Sequence, residues 1–116
     1  MKRFFMSFKY AFQGIREGMR SEENFKFDLV VAVLVVASGF IYSLSPTEWA
    51  LVIICIMTVL MSELINSCIE KIIDWISPEI HPNAKAIKDM AAGAVLIAAV
   101  GSAIIGLIIF VPKIFS

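Results

Sequence analysis

Apolar residues dominate three long stretches of the chain, and the polar residues between and within them divide it into four predicted helices. Leu29 to Thr47 runs for 19 residues without a charge and Met90 to Pro112 for 23. Each is long enough to cross a hydrocarbon core of about 30 Å. Between them, a run beginning near Glu48 and Trp49 stays apolar or weakly polar to Ser62, then continues through MSELINSCIEKIIDW. That segment completes a crossing only by carrying Glu63, Asn66 and Glu70 with it. The predicted spans are therefore 28–46, 48–76 and 88–112. Ahead of them, Phe5, Phe8, Phe12, Ile15 and Met19 recur at three- and four-residue steps among Lys2, Lys9, Gln13, Arg16 and Arg20. This pattern predicts a basic amphipathic helix over 1–20, suited to lying among lipid headgroups.

Polar links join these elements. Glu22, Glu23 and Asn24 form a hinge, with Ser21 placed to cap the helix that follows. The link from Ser43 to Thr47 has Ser45 and Pro46 near its end and predicts a tight turn, and the link from Ser77 to Lys88 contains Pro78 and Pro82 as breakers. No internal repeat or low-complexity tract is present.

Composition agrees with the pattern. Of 116 residues 59% are hydrophobic, and the mean hydropathy of +0.87 marks an integral membrane protein rather than a soluble domain. With about 60 residues in spans there is room for one unit, 1–116, and no second domain. No nucleic-acid partner is expected. Lys9 and Gln13 interrupt the first apolar stretch and no small-residue cleavage site follows, so the N-terminal segment is expected to remain in the mature protein. Cys55 and Cys68 fall on one predicted helix, roughly 20 Å apart along its axis, and read as packing residues. Six of the ten Lys and Arg residues precede the first span, three lie at or in the second link, none lies in the first link and Lys113 is in the tail. The positive-inside rule places the N-terminus and second link in the cytoplasm and the C-terminus outside.

The candidate chemistry lies on the second span. At about 100° per residue, Glu63, Asn66, Ser67, Glu70 and Asp74 share roughly a 100° arc of a helix. A carboxylate at membrane depth is costly unless protonated, paired or metal-bound, so this polar stripe is a functional-site hypothesis. Three thin helices enclose little interior, which favours an oligomer that shields the stripe. Carboxylates near the cytoplasmic interface, met by Glu22 from the hinge, offer hard oxygen ligands for Mg²⁺. Lys85, Lys88, Arg3 and Arg16 supply cations on the same side, and acidic metal ligands beside basic phosphate binders suit phosphoryl transfer. Glu63, about two turns deeper, is placed to accept a proton from a lipid hydroxyl. No GxxxxGK[ST] or GxGxxG motif is present. Two rival readings are a small proton-coupled transporter using Glu63 and an assembly subunit whose polar stripe is a packing seam. The transporter reading leaves Lys88 and Asp89 without a role and fits three spans poorly.

The run ELINSCIEKIIDW, followed by AKAIKDMAAGAVLIAA, resembles the signature of the small bacterial lipid kinases that phosphorylate diacylglycerol or undecaprenol. The resemblance covers essentially the whole chain, including SEENF before the first span. AAGAVL and GLIIFVPK look more like the Gram-positive undecaprenol kinase branch. The resemblance implies an all-α homotrimeric membrane bundle in the bacterial cytoplasmic membrane, with active sites shared between protomers and opening to the cytoplasm. It also implies transfer of the γ-phosphate of Mg·ATP to a lipid alcohol. Carried over by motif position, Glu63 is the general base, Asn66 its polar partner, and Glu22 and Glu70 hold the metal. Lys88 and Asp89, Glu79 and His81, and Arg3 and Tyr10 fall at nucleotide-contacting positions, as do Glu22 and Glu70. The diacylglycerol branch tends to carry an arginine and a serine where this chain has Ala86 and Ala92, which implies a different lipid pocket.

Overall fold

The computed structural model, which describes every residue except Ile80, is all-helical: α1 (Lys2–Ser21), α2 (Glu23–Ile41), α3 (Pro46–Ile76) and α4 (Pro82–Ile114). The last three are long and apolar enough to cross a membrane. Helix α3 stands between its neighbours, packing against both α2 and α4, and α1 folds back on α2 and α3. The chain measures 54 × 42 × 21 Å, a slab about two helices thick. Its interior is correspondingly small. Phe25, Leu44, Val52, Ala91 and Ile109 are the buried apolar residues among those described, and most of the remaining apolar side chains face outward. That distribution suits lipid or further protein as the surrounding medium, not water.

The ends that form the α2–α3 turn have identifiable causes. Helix α3 starts with a capping box: the Glu48 backbone N–H donates to Ser45 Oγ at 3.2 Å, and the Ser45 N–H donates to Glu48 Oε1 at 2.9 Å. Pro46 occupies the first turn, where its missing N–H costs nothing. Helix α2 ends in a Schellman turn, with Leu44 N–H donating to Gly39 O at 3.1 Å and Ser43 N–H to Phe40 O at 3.4 Å. Ser43 sits there at φ 53°, the left-handed region that favours glycine. The turn lets Gly39 meet the Trp49 ring edge-on, and Leu44, Val52 and Ile109 close the core of that end.

Two features differ from the sequence expectation. Ser21 does not cap α2. It is the last residue of α1, so its hydroxyl points back one turn and donates to Glu17 O at 2.7 Å, while Glu22 alone separates the two helices. Pro82 is a helix starter rather than a breaker, because α4 begins with it in the first turn and His81 as N-cap. Helix α4, at 33 residues, thus outruns its predicted span by six residues toward the second link, whereas α3 ends at Ile76 as predicted.

Candidate functional site

The polar stripe of α3 forms as one face because its members recur at helical spacing, and the fold brings the α1–α2 hinge and the start of α2 against it. Glu63 is the centre. Asp28 of α2, Glu70 one face-repeat along α3, and Glu22 of the hinge are the acidic groups whose charges reach it, and the Asp28 carboxyl lies within hydrogen-bond reach. Carboxyl groups from three chain segments thus lie within electrostatic reach of Glu63, and Glu63 and Glu22 are both partly shielded from solvent.

Polar side chains organise this acidic patch. Asn66 Nδ2 donates to Glu70 Oε1 at 3.3 Å, while Asn66 Oδ1 is buried and no described donor reaches it. The Lys71 ammonium sits 3.5 Å from Glu22 Oε1 and donates to Ser21 Oγ at 3.4 Å, tying the hinge to α3. Lys88 and Asp89, adjacent in sequence, do not pair with each other. Lys88 Nζ donates to Asp74 Oδ1 at 2.7 Å, and Lys85 Nζ to Asp89 Oδ2 at 2.6 Å. Successive residues diverge by about 100° on a helix, so Lys88 turns toward α3 while Asp89 meets Lys85 one turn back on α4. Lys88 also stands within electrostatic reach of Glu70.

The structure thus brings Glu22, Glu63, Asn66, Glu70 and Lys88 into one neighbourhood. The other candidates stand apart in the single chain. His81 caps α4, accepting the Asn83 backbone N–H on Nδ1 at 3.1 Å, and the Glu79 carbonyl accepts Ser77 Oγ–H at 3.3 Å. Arg3 and Tyr10 are exposed on α1, and among the described residues neither side chain makes an ion pair or hydrogen bond. Two residues emerge only from the fold. Lys71 flanks Glu70 in sequence but serves Glu22, and Asp28 reads in sequence as the polar margin of an apolar run, with no signal beyond its being a carboxylate at that margin.

As a metal site the patch offers hard carboxylate oxygens. Among the described residues no three His, Cys, Asp or Glu side chains are grouped as a metal cage. A cation such as Mg²⁺ asks for only one or two carboxylates and fills its remaining positions with water and phosphate oxygens, so Glu22 and Glu70 are of the chemical type that could hold one. Small apolar residues border the patch on its deep side. A cavity of about 310 Å³ opens between α2 and α4, with Asp28 at its rim and Val59, Ala99, Ala103 and Gly106 among its walls.

The sequence profile of the prokaryotic diacylglycerol kinase family matches residues 9–110. The chain is 47% identical to an undecaprenol kinase of Bacillus subtilis over 97% of its own length and 92% of the relative's. It is 36% identical to a diacylglycerol kinase of Helicobacter pylori over 83% of this chain and 75% of that one. A diacylglycerol kinase of Synechocystis is 30% identical over 96% of this chain, which spans 64% of that longer protein. None of these relatives supports the transporter reading of Glu63.

Proposed function

Since the chain belongs to the prokaryotic diacylglycerol kinase family and is a lipid kinase, we propose that it transfers the γ-phosphate of ATP to undecaprenol, forming undecaprenyl phosphate, in preference to converting diacylglycerol to phosphatidate. The carrying observation is the acidic face of α3, a helix that otherwise belongs in lipid: Glu70 and Glu22 lie within electrostatic reach of Glu63, and Lys88 of α4 within reach of Glu70. The choice of alcohol rests on the 47% identity to the Bacillus enzyme and on Ala86 and Ala92 beside Lys88 and Asp89.

Helix length supports a division of labour along α3. About 20 residues cross the hydrocarbon core, so a helix entering near Trp49 leaves it near Cys68. Glu63 then lies about one turn inside the boundary and Glu70 just beyond it, roughly 10 Å further along the axis. With the N-terminus and second link in the cytoplasm, as the Lys and Arg distribution directs, Glu70, Glu22 and Lys88 meet the nucleotide there and the C-terminus is outside. Helix α1, carrying its Phe residues outward, lies in the cytoplasmic headgroup layer.

In this reading Glu22 and Glu70 hold Mg²⁺, which neutralises phosphate charge when bound. Asn66 holds the Glu70 carboxylate by its amide N–H, and Lys88, released from Asp74, faces the phosphates. Asp89, Glu79, His81, Arg3 and Tyr10 complete the nucleotide contacts. The membrane alcohol approaches Glu63 from the lipid side. As its oxygen attacks the γ-phosphorus, Glu63 takes the hydroxyl proton, the bond from phosphorus to the ADP oxygen breaks, and ADP departs to the cytoplasm. The thin slab and its outward apolar faces support assembly as a homotrimer in the cytoplasmic membrane, where neighbouring protomers shield the acidic patch and supply the contacts the single chain leaves distant.

The test is direct. Purified protein in mixed micelles is given Mg²⁺, labelled ATP and either undecaprenol or diacylglycerol. The expected result is label on both lipids with the higher kcat/KM for undecaprenol. A higher kcat/KM for diacylglycerol refutes the substrate choice, and label on neither refutes the reading as a whole.

A further inference from the structure

The cations of α1 differ from those of the rest of the chain. Lys26, Lys71, Lys85, Lys88 and Lys113 each stand 2.6–3.5 Å from a carboxylate oxygen. Lys2, Arg3, Lys9, Arg16 and Arg20 all lie on α1, all are exposed, and among the described residues none is paired. Helical rotation sorts them into two sets. Lys2, Lys9, Arg16 and Arg20 fall within about 40° of one another, in a row about 27 Å long. This row borders the exposed apolar arc of Phe4, Phe5, Phe8, Phe12, Ile15 and Met19, while Arg3 lies with Tyr10 about 100° further round, beyond Glu17. Gly18 fixes how the helix is turned: it is the buried residue of α1, packed against Leu64 of α3 and Phe25 of α2. The row is about 180° from Gly18, so it points away from the chain's own bundle. With the apolar arc toward hydrocarbon, the row runs along the membrane surface and Arg3 and Tyr10 turn to the water.

We infer that Lys2, Lys9, Arg16 and Arg20 form a lipid-binding edge that takes the phosphates of anionic phospholipids, separate from the Arg3 and Tyr10 flank proposed for the nucleotide. Glu22 alone joins α1 to the spanning helix α2, so α1 cannot leave the membrane surface, and an outward-pointing row at that level meets headgroups. The long stems of Lys and Arg lie along the apolar arc while their charged ends reach the phosphate level. Arginine matches a phosphate with two parallel N–H donors, and lysine with a compact charge. Lys2, Lys9 and Arg16 follow one another about 10 Å apart along the axis, which leaves room for a separate headgroup at each. The exposed carboxylates of Glu23, Asp74 and Asp89 are already paired within the chain, which favours lipid over a second copy as the source of the matching charge. This edge is independent of which alcohol the enzyme phosphorylates.

The test measures which lipids the full-length protein holds. It is reconstituted in phosphatidylcholine bilayers with a trace of spin-labelled phosphatidylglycerol or spin-labelled phosphatidylcholine, and the motionally restricted fraction of each gives their relative association. Wild type is expected to favour phosphatidylglycerol by about threefold in low salt and to lose most of that preference in about 1 M NaCl, where the Debye length is about 3 Å. Lys9→Gln/Arg16→Gln takes two charges from the row and is expected to cut the preference by about twofold or more. Lys26→Gln/Lys85→Gln changes net charge equally at paired positions and is expected to stay within about 1.5-fold of wild type. Lys9→Arg/Arg16→Lys keeps the charge and is expected to keep the preference. Thermal midpoint and oligomer size are followed for each. Absence of a preference in wild type, or an equal loss in the two Gln variants, overturns the inference. A smaller oligomer in Lys9→Gln/Arg16→Gln gives the row to a second copy and overturns it as well. No readout here uses ATP or the alcohol, so the kinase reading stands or falls separately.

Discussion

Replacing Asn66 with Leu isolates the contact that holds the proposed metal ligand. Leucine branches at Cγ as asparagine does, though it is larger, and it favours helix and suits a partly buried position on a membrane-spanning helix. It also removes a buried carbonyl oxygen that no described donor reaches, so α3 itself should be no less stable. What is lost is the 3.3 Å hydrogen bond from Asn66 Nδ2 to Glu70 Oε1. Hydrogen bonds to charged groups contribute about 1.5–3 kcal/mol, and a long bond at a partly exposed site belongs at the low end, about 1.5 kcal/mol. If that energy keeps Glu70 aimed at the metal, its loss appears as about a tenfold rise in the Mg²⁺ concentration for half-maximal rate. The assay is a Mg²⁺ titration of lipid phosphorylation at fixed ATP, with the thermal midpoint measured alongside. An unchanged Mg²⁺ requirement in a folded Asn66→Leu protein contradicts the reasoning, since Glu70 would then be held by something else.

Three further outcomes are expected. Glu70→Gln should flatten the dependence of rate on Mg²⁺ and lower the rate at saturating Mg²⁺, and an unaltered Mg²⁺ curve removes Glu70 from the metal site. Ser43→Gly should stabilise the fold by about 0.5–1 kcal/mol, because the left-handed conformation costs a side chain about 1–2 kcal/mol and glycine loses part of that gain in unfolded-state entropy; denaturant titration in micelles with no stabilisation speaks against the strained turn. Gly39→Val places a Cβ 2.6 Å from the Trp49 ring and 3.1 Å from Leu44, so α2 must shift from the α3 start at a cost of about 1–3 kcal/mol. A wild-type unfolding midpoint in that variant is inconsistent with the packing described.

How much was legible in the sequence depended on whether a residue's cost was local or shared. Glu63 and Glu70 stood out because a carboxylate inside an apolar run is costly wherever the helix goes, and the 3.6-residue period alone put Asn66 on their face. Asp28 carried no such mark. At the edge of a charge-free run beside Glu22, Glu23 and Lys26 it resembles any span boundary, and only the packing of α2 on α3 turns it to Glu63. Lys88 and Asp89 show a similar limit, because they stand side by side in the motif whereas helical rotation gives each a different partner. Ser21 failed as a cap for the opposite reason: the break between α1 and α2 is one residue long, too short to free its hydroxyl from the helix it ends. Arg3, Tyr10, Glu79 and His81 have no local signal and no partner in the patch of a single chain, so their roles rest on motif position.

The account turns on the acidic face of α3 doing chemistry on a membrane alcohol, and Glu63→Gln tests that most directly. Transfer of labelled phosphate from ATP to undecaprenol is measured for wild type and variant, with nucleotide affinity measured on the same preparations. Loss of a general base predicts a fall in kcat of about 10²–10⁴-fold with nucleotide affinity retained. Phosphorylation of undecaprenol at the wild-type rate by Glu63→Gln would contradict the account.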